Sequence, residues 1–514
     1  MRHLFEASQF TAAAGSTEPQ DGEYPFEAAQ QLLQEALQGA AQVPSSGTAG
    51  AAADAAALPL CSDAGSNNST PPPPPPQQQQ QQQRQHGWRL AGFRSDLPGA
   101  PALLLPAHSL RHLDLVLRPG PAAAAALTEL SQIARLSSLQ QLQLKSKQCS
   151  PVLPAGFFTG LAQLSQLTAL EVDGDFRGFR QHLPHALQQQ LPLRQLEVEV
   201  NDEDDLEAEL PSLLHLTQLT KLSSPESAHG NAALPAQLQS LDLGRCADTA
   251  PLLALSQLQH LSIRANFAEQ RAVLELAKLP ALQELQLEYL EEEAAAAAAP
   301  KWALLPQLRL LHVTCDTSPL QPQVGAAGWE PHMQHRSAIL AGAAAATQLT
   351  ALCLACFDHV PLDDAPLPQE HAMAICGNLT GLIGLRELAL EDAGIVPGDA
   401  MALTALTGLT FLALDTLHYG VGDAAATSLA RSLQHLQHLE LSKCSMDLGS
   451  ADFLAAVGQL KQLTELVMEG NEGLTQQGLM QLAGLSHLQE LTVDEDEEVT
   501  GEVLGAFWAA VRQQ

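Results

Sequence analysis

The sequence predicts an α/β solenoid: short strand-and-return coils, stacked so that their strands form a parallel sheet. Three observations predict it. A unit Leu-x-x-Leu-x-Leu, with Val, Ile or Met sometimes last, occurs 15 times. Its first leucines run from Leu110 to Leu488, 378 residues in 14 steps, and a mean period of 27 marks stacked repeats. After the last copy, Leu504, Phe507, Trp508 and Val511 fall at i, i+3, i+4 and i+7, one apolar helical face.

Taken in chain order, residues 1–87 are a low-complexity region expected to be disordered. Pro71 to Pro76 is a proline run and Gln77 to Gln83 a glutamine run. Neither buries enough apolar surface to offset the entropy of ordering. Within this region Phe26, Ala29, Leu32, Leu33 and Leu37 recur at helical spacing, read as a fluctuating or surface-docked helix or as a partner-binding one.

Residues 88–500 are the array. Its copies start at Leu110, Leu139, Leu167, Leu193, Leu219, Leu238, Leu258, Leu282, Leu308, Leu349, Leu385, Leu409, Leu436, Leu463 and Leu488, the Leu219 copy being degenerate. The Leu-x-Leu part alternates, which puts both leucines of a short strand on one face. Upstream, Leu161/Leu164/Leu167 and Leu403/Leu406/Leu409 are spaced by three, which suits a helical or 3₁₀ return. One such coil buries too little to stand alone, so each must pack both flat sides against neighbours. The steps from Leu308 to Leu349 and from Leu349 to Leu385 are long; the first holds Pro319, Pro322, Gly325, Gly328, Trp329 and Pro331, which predict a projecting loop. Residues 501–514 are the expected capping helix.

Composition limits the function. With 57 Asp+Glu against 25 Lys+Arg, the net charge is −32, so the basic footprint of a nucleic-acid binder is missing. No apolar run reaches membrane-spanning length. Eight cysteines spread over 514 residues do not form a disulfide framework, so a reduced, cytoplasmic monomer is expected.

The repeated motif resembles the leucine-rich repeat family. That resemblance implies a horseshoe solenoid with a parallel concave sheet and a helical convex side. In the family an Asn or Cys three residues after the last strand leucine turns inward and satisfies backbone groups of the departing loop. Asn201, Cys246, Asn266, Cys444 and Asn471 hold that place here, Asp175, Asp316 and Asp496 hold it in three more copies, and the others depart from the pattern. The segment Leu474-Thr475-Gln476-Gln477-Gly478-Leu479 looks like the long, cysteine-containing repeats of the ribonuclease-inhibitor-like superfamily, found in many F-box adaptors. No F-box-like segment precedes the array.

The implied concave face can be read from the register: the residues before, between and after the last two leucines. Of these 45 positions 16 are acidic and 3 basic, although only 57 of 514 residues in the chain are acidic. Glu171, Asp173, Glu197, Glu199, Glu440, Glu465, Glu469, Glu490 and Asp494 are the acidic candidates for a partner contact, and Leu310 and Phe411 the apolar ones between the acidic arms. At ~4.8 Å strand spacing, Glu171–Glu197, Asp173–Glu199, Glu391–Asp415, Glu465–Glu490 and Glu469–Asp494 face each other as like charges. A basic protein partner and a merely solvated acidic surface both account for them.

Cys353-x-x-Cys356 lacks a second ligand pair at compact spacing, and the histidine pairs lack the His-Glu-x-x-His pattern. Neither a phosphate-binding loop nor a Gly-x-Ser-x-Gly elbow occurs. The expected function is therefore non-catalytic, without cofactor or metal: a protein–protein interaction scaffold or adaptor working through the concave face. The alternatives are a ubiquitin-ligase substrate adaptor and a structural component of a cytoskeletal or ciliary axonemal assembly.

Overall fold

The structure, a computed structural model, describes residues 92–95, 109–117, 130–146, 151–177, 179–189, 191–200, 212–229, 233–246, 250–265, 279–289, 292–315, 329–355, 373–391, 395–417 and 421–513. The region 1–87, Asn201, Asn266, Asp316 and Cys356 lie outside them. The chain divides into two compact units, Met1–Leu191 and Pro192–Gln514.

The first unit holds four strands, β1 (Gly92–Ser95), β2 (His112–Leu117), β3 (Gln141–Ser146) and β4 (Ala169–Gly174), paired in parallel in chain order. The second holds twelve: β5 (Gln195–Val200), β6 (Lys221–His229), β7 (Ser240–Cys246), β8 (His260–Ala265), β9 (Glu284–Tyr289), β10 (Leu310–Cys315), β11 (Ala351–Ala355), β12 (Glu387–Glu391), β13 (Phe411–Asp415), β14 (His438–Glu440), β15 (Glu465–Val467) and β16 (Glu490–Thr492). Each pairs in parallel with the next. Such one-way stepping is what a coil repeated every ~27 residues must produce.

The register stacks like on like. Leu412 lies opposite Leu388 and Leu439, and Leu466 opposite Leu439 and Leu491. All of these but Leu491 are 1% exposed or less. Each buried leucine contributes about 1.5–3 kcal/mol, and only a neighbouring coil can supply the burial. The spacing of three becomes a chain of tight turns. Leu164 N bonds Leu161 O at 3.1 Å and Leu167 N bonds Leu164 O at 3.0 Å; Leu403, Leu406 and Leu409 repeat this at 2.9 and 3.0 Å. A coupling between coils also recurs: just before most strands, one carbonyl accepts two amides of the next coil. Thr410 O takes Gln437 N (2.7 Å) and His438 N (3.1 Å), and Gln437 O takes Thr464 N (2.7 Å) and Glu465 N (3.1 Å).

Helices and 3₁₀ turns supply the returns. In the first unit these are a 3₁₀ turn (Ser131–Arg135), α1 (Ala155–Leu161) and α2 (Phe179–Leu187). In the second they include α3 (Glu292–Ala298), α4 (Trp329–Ala345), α5 (Ile375–Leu379), α6 (Gly422–Ser432), α7 (Ala451–Val457), α8 (Gln476–Gln481) and α9 (Gly501–Val511). α9 follows the last strand. It starts on Thr500, whose Oγ1 accepts from Val503 N at 3.4 Å, and it buries Phe507 and Val511.

Two expectations need adjusting. β1 precedes the first predicted copy: Leu90-x-x-Phe93-x-Ser95 is a degenerate unit in which Phe93, 8% exposed, replaces the second leucine opposite Leu113. The predicted projecting loop is helical in part, because Trp329 and Pro331 begin α4. Proline is tolerated there, since first-turn amides have no intrahelical acceptor. Pro319 to Gly328 lie outside the described residues.

Candidate protein-binding face

The site is built on the sheet face opposite the leucines. In the first unit each acidic residue on this face meets a cation. Arg94 Nε lies 3.1 Å from Asp114 Oδ2. Lys145 Nζ lies 3.3 Å from Glu171 Oε1 and 3.6 Å from Asp173 Oδ2, and Gln143 donates to Glu171 as well. Burial pushes the Asp114 carboxyl above its usual value, against the pull of Arg94 and Lys145. Burial alone would lower Lys145, but the hydrogen bond and charge of Glu171, with Asp173 and Asp114, carry it upward.

The second unit begins the same way. Lys221 Nζ lies 2.7 Å from Glu197 Oε1, His260 Nδ1 lies 2.6 Å from Glu284 Oε2, and Ser223 donates to Asp242 at 2.9 Å. Glu199 is exposed on β5. Leu310 is half-buried on β10 between Glu284 and Ala351.

From β10 to β16 the pattern changes. The face positions of these coils carry Glu387, Glu391, Asp415, Glu440, Glu465, Glu469, Glu490 and Asp494, and neither Lys nor Arg. Lys443 lies beyond them, in the loop after β14. Two imidazoles stand on the face. Burial lowers His312, which favours its neutral form, and it is bonded to Thr314 Oγ1 at 3.0 Å. His438 is the one set among the carboxylates. It stacks on Phe411 with centroids 4.1 Å apart and planes 9° apart. Its Nδ1 lies 2.9 Å from Glu465 Oε2, and its Nε2 is buried 3.7 Å from Glu440 Oε2. Glu440 also accepts from Ser442 Oγ at 3.1 Å.

The predicted like-charge pairs fare differently. Glu391 faces Asp415 and Glu465 faces Glu490 in the ladder, with Glu490 exposed. Glu469 and Asp494 fall beyond their three-residue strands. Glu469 is exposed, and Asp494 Oδ2 accepts from Gly470 N at 2.6 Å, which makes it a loop-closing group as well. The middle of the face is flatter than its positions imply: Ala351, Ala355 and Ala413 are 9%, 3% and 4% exposed, because small side chains sit below their neighbours. Cys353 Sγ lies 3.9 Å from Glu391 Oε1, a weak contact.

The inward Asn position behaves as the resemblance implies. Asn471 Oδ1 accepts from Cys444 N (3.1 Å) and Met446 N (3.2 Å). Its Nδ2 donates to Leu441 O (2.6 Å) and Met468 O (3.1 Å). The Cys444 thiol, fully buried, donates to Leu414 O at 3.1 Å. Among the described residues no cluster of His, Cys, Asp and Glu is arranged to hold a metal, and no helix is long and apolar enough to cross a membrane.

No family model matches the sequence, and no curated protein matches it. Among solved structures, the chain is similar to an internalin (inlF) from Listeria monocytogenes at 13% identity. That likeness covers 80% of this chain and 81% of the other, with a TM-score of 0.26. The fold assignment rests instead on the parallel ladder, the buried leucines and the inward asparagine. By these features the chain has the architecture of an α/β leucine-rich repeat solenoid.

Proposed function

We propose that this chain is a non-catalytic interaction scaffold that binds a basic protein partner on the open sheet face of β12–β16. One observation carries the proposal: among the described residues, Asp114, Glu171, Asp173 and Glu197 of the early coils pair with Arg94, Lys145 and Lys221, whereas the face positions of β12–β16 carry neither Lys nor Arg, and His438 is the imidazole set against Glu440 and Glu465. Glu387, Glu391, Asp415, Glu440, Glu465 and Glu490 offer lysine or arginine side chains a run of carboxylates. Glu171, Asp173 and Glu197 then belong to internal ion pairs, each worth about 0.2–1 kcal/mol. The Asn471 and Cys444 geometry supports the further reading that the late coils are of the long, cysteine-containing, ribonuclease-inhibitor-like kind.

Affinity purification with the wild-type chain and with Glu465→Lys/Glu490→Lys tests this. A partner held at low salt, released at high salt and lost by the double variant is expected. A partner retained equally by the variant contradicts the proposal.

A further inference from the structure

At β16 the described array presents a second surface, an edge that adjoins the acidic face. Thr464 O accepts Gln489 N (2.7 Å) and Glu490 N (3.1 Å), as Gln437 O does one coil earlier. Gln489 stands in the equivalent place on the last coil, and no strand follows β16 among the described residues. In β16 the main chain of Glu490 and Thr492 turns to β15, through Glu490 N to Thr464 O and Met468 N to Thr492 O. By strand alternation the Gln489 carbonyl and both peptide groups of Leu491 turn the other way, to the open edge.

The end is also incompletely covered. Leu466 and Met468, the inward residues of the preceding coil, are 0% exposed, whereas Leu491 and Val493 are only half-buried. α9 carries Val503, Leu504, Phe507, Trp508 and Val511, yet buries only Phe507 and Val511. An open groove of mixed character, about 510 Å³, lies here between Ser486, Gln489, Glu490 and Leu491 on one side and Trp508 and Arg512 on the other. Exposed Glu490, Asp494, Glu495 and Glu502 make its surroundings acidic, with Arg512 the opposing charge among its lining residues.

We propose that this end takes up an extended segment of a protein partner by strand addition to β16. The ladder dictates the chemistry of that segment. A residue opposite Leu491 points to the leucine side and must be apolar to pack on the incompletely covered Leu491 and Val493. Its neighbours, opposite Glu490 and Thr492, point to the acidic face, where Glu465 and Glu490 already stand side by side, and must be basic. A second copy of this chain would bring the same acidic rim and fits less well than a basic strand.

The test uses the full chain and three synthetic hexapeptides: alternating lysine and leucine, alternating glutamate and leucine, and the lysine–leucine peptide N-methylated at alternate amides. Calorimetric titration should show saturable binding of the first. Losing two main-chain hydrogen bonds should weaken the N-methylated peptide about tenfold or more. Trp508→Ala, at a half-buried position, should weaken the first peptide comparably. Four outcomes would overturn the proposal: no binding up to millimolar peptide, equal binding of the N-methylated peptide, binding unaffected by Trp508→Ala, or concentration-dependent dimerisation abolished by Trp508→Ala. Because Trp508 lies off the carboxylate face, Trp508→Ala should leave retention of a basic partner by that face unchanged while Glu387→Lys/Asp415→Lys lowers it, so either proposal can fail without the other.

Discussion

Replacing Asn471 with alanine removes one side chain that closes the loop between β14 and α7 from the coil that follows. Its carbonyl oxygen satisfies the amides of Cys444 and Met446, both in buried residues, and its amide serves the carbonyls of Leu441 and Met468. Each buried amide left without an acceptor costs about 1–3 kcal/mol, so two should cost about 2–6 kcal/mol. In a repeat array that loss is felt locally, because each coil answers mainly to its neighbours. Hydrogen exchange is therefore the assay. In Asn471→Ala the amides of Cys444 and Met446 should lose protection, with opening spreading to β15 and β16 while β2–β4 stay protected. Unchanged protection at both amides, or a loss below about 1 kcal/mol, would refute the reasoning.

Two further outcomes follow from the packing. At Gly342 on α4 an added Cβ would sit 2.5 Å from the Ala299 main chain. Gly342→Ala should therefore lower the melting temperature, since a backbone clash of about 1–3 kcal/mol outweighs the ~1 kcal/mol gain in helix propensity; a rise would contradict the close approach. Burial pushes the Cys444 thiol from 9.0 up to about 12, against the Leu417 backbone and aided by Asp415 and Glu440. The folded chain thus holds this proton more tightly than the unfolded one, so the stabilisation is complete below pH 9.0 and is lost as pH rises towards 12. Wild type should lose stability relative to Cys444→Ala across that window in denaturant titrations; parallel curves would count against the shift.

The fold was legible because leucine repetition is a signal with one physical solution. Leu161, Leu164 and Leu167 mark the tight return, and Leu170 with Val172 the strand it feeds. β1 escaped because Phe93 and Ser95 replace two of its three leucines. The start of α4 escaped because the density of Pro and Gly before Trp329 reads as a loop, while a proline in a helix's first turn costs little. The candidate face was half legible. Register alone placed the carboxylates, but not which of them the chain neutralises itself. Lys145 reaches two acids from one position. His438, neither clearly acidic nor basic by composition, lies between Phe411 and Glu465. That distinction moves the binding hypothesis from the whole face to its last coils.

Carboxyl footprinting of the complex with a purified basic partner tests the central claim most directly. Modification of Glu387, Asp415, Glu440, Glu465 and Glu490 should fall when the partner is added, while that of Glu171, Asp173 and Glu197 stays as in the free chain. Protection confined to the early coils, or none on the β12–β16 face, would contradict it.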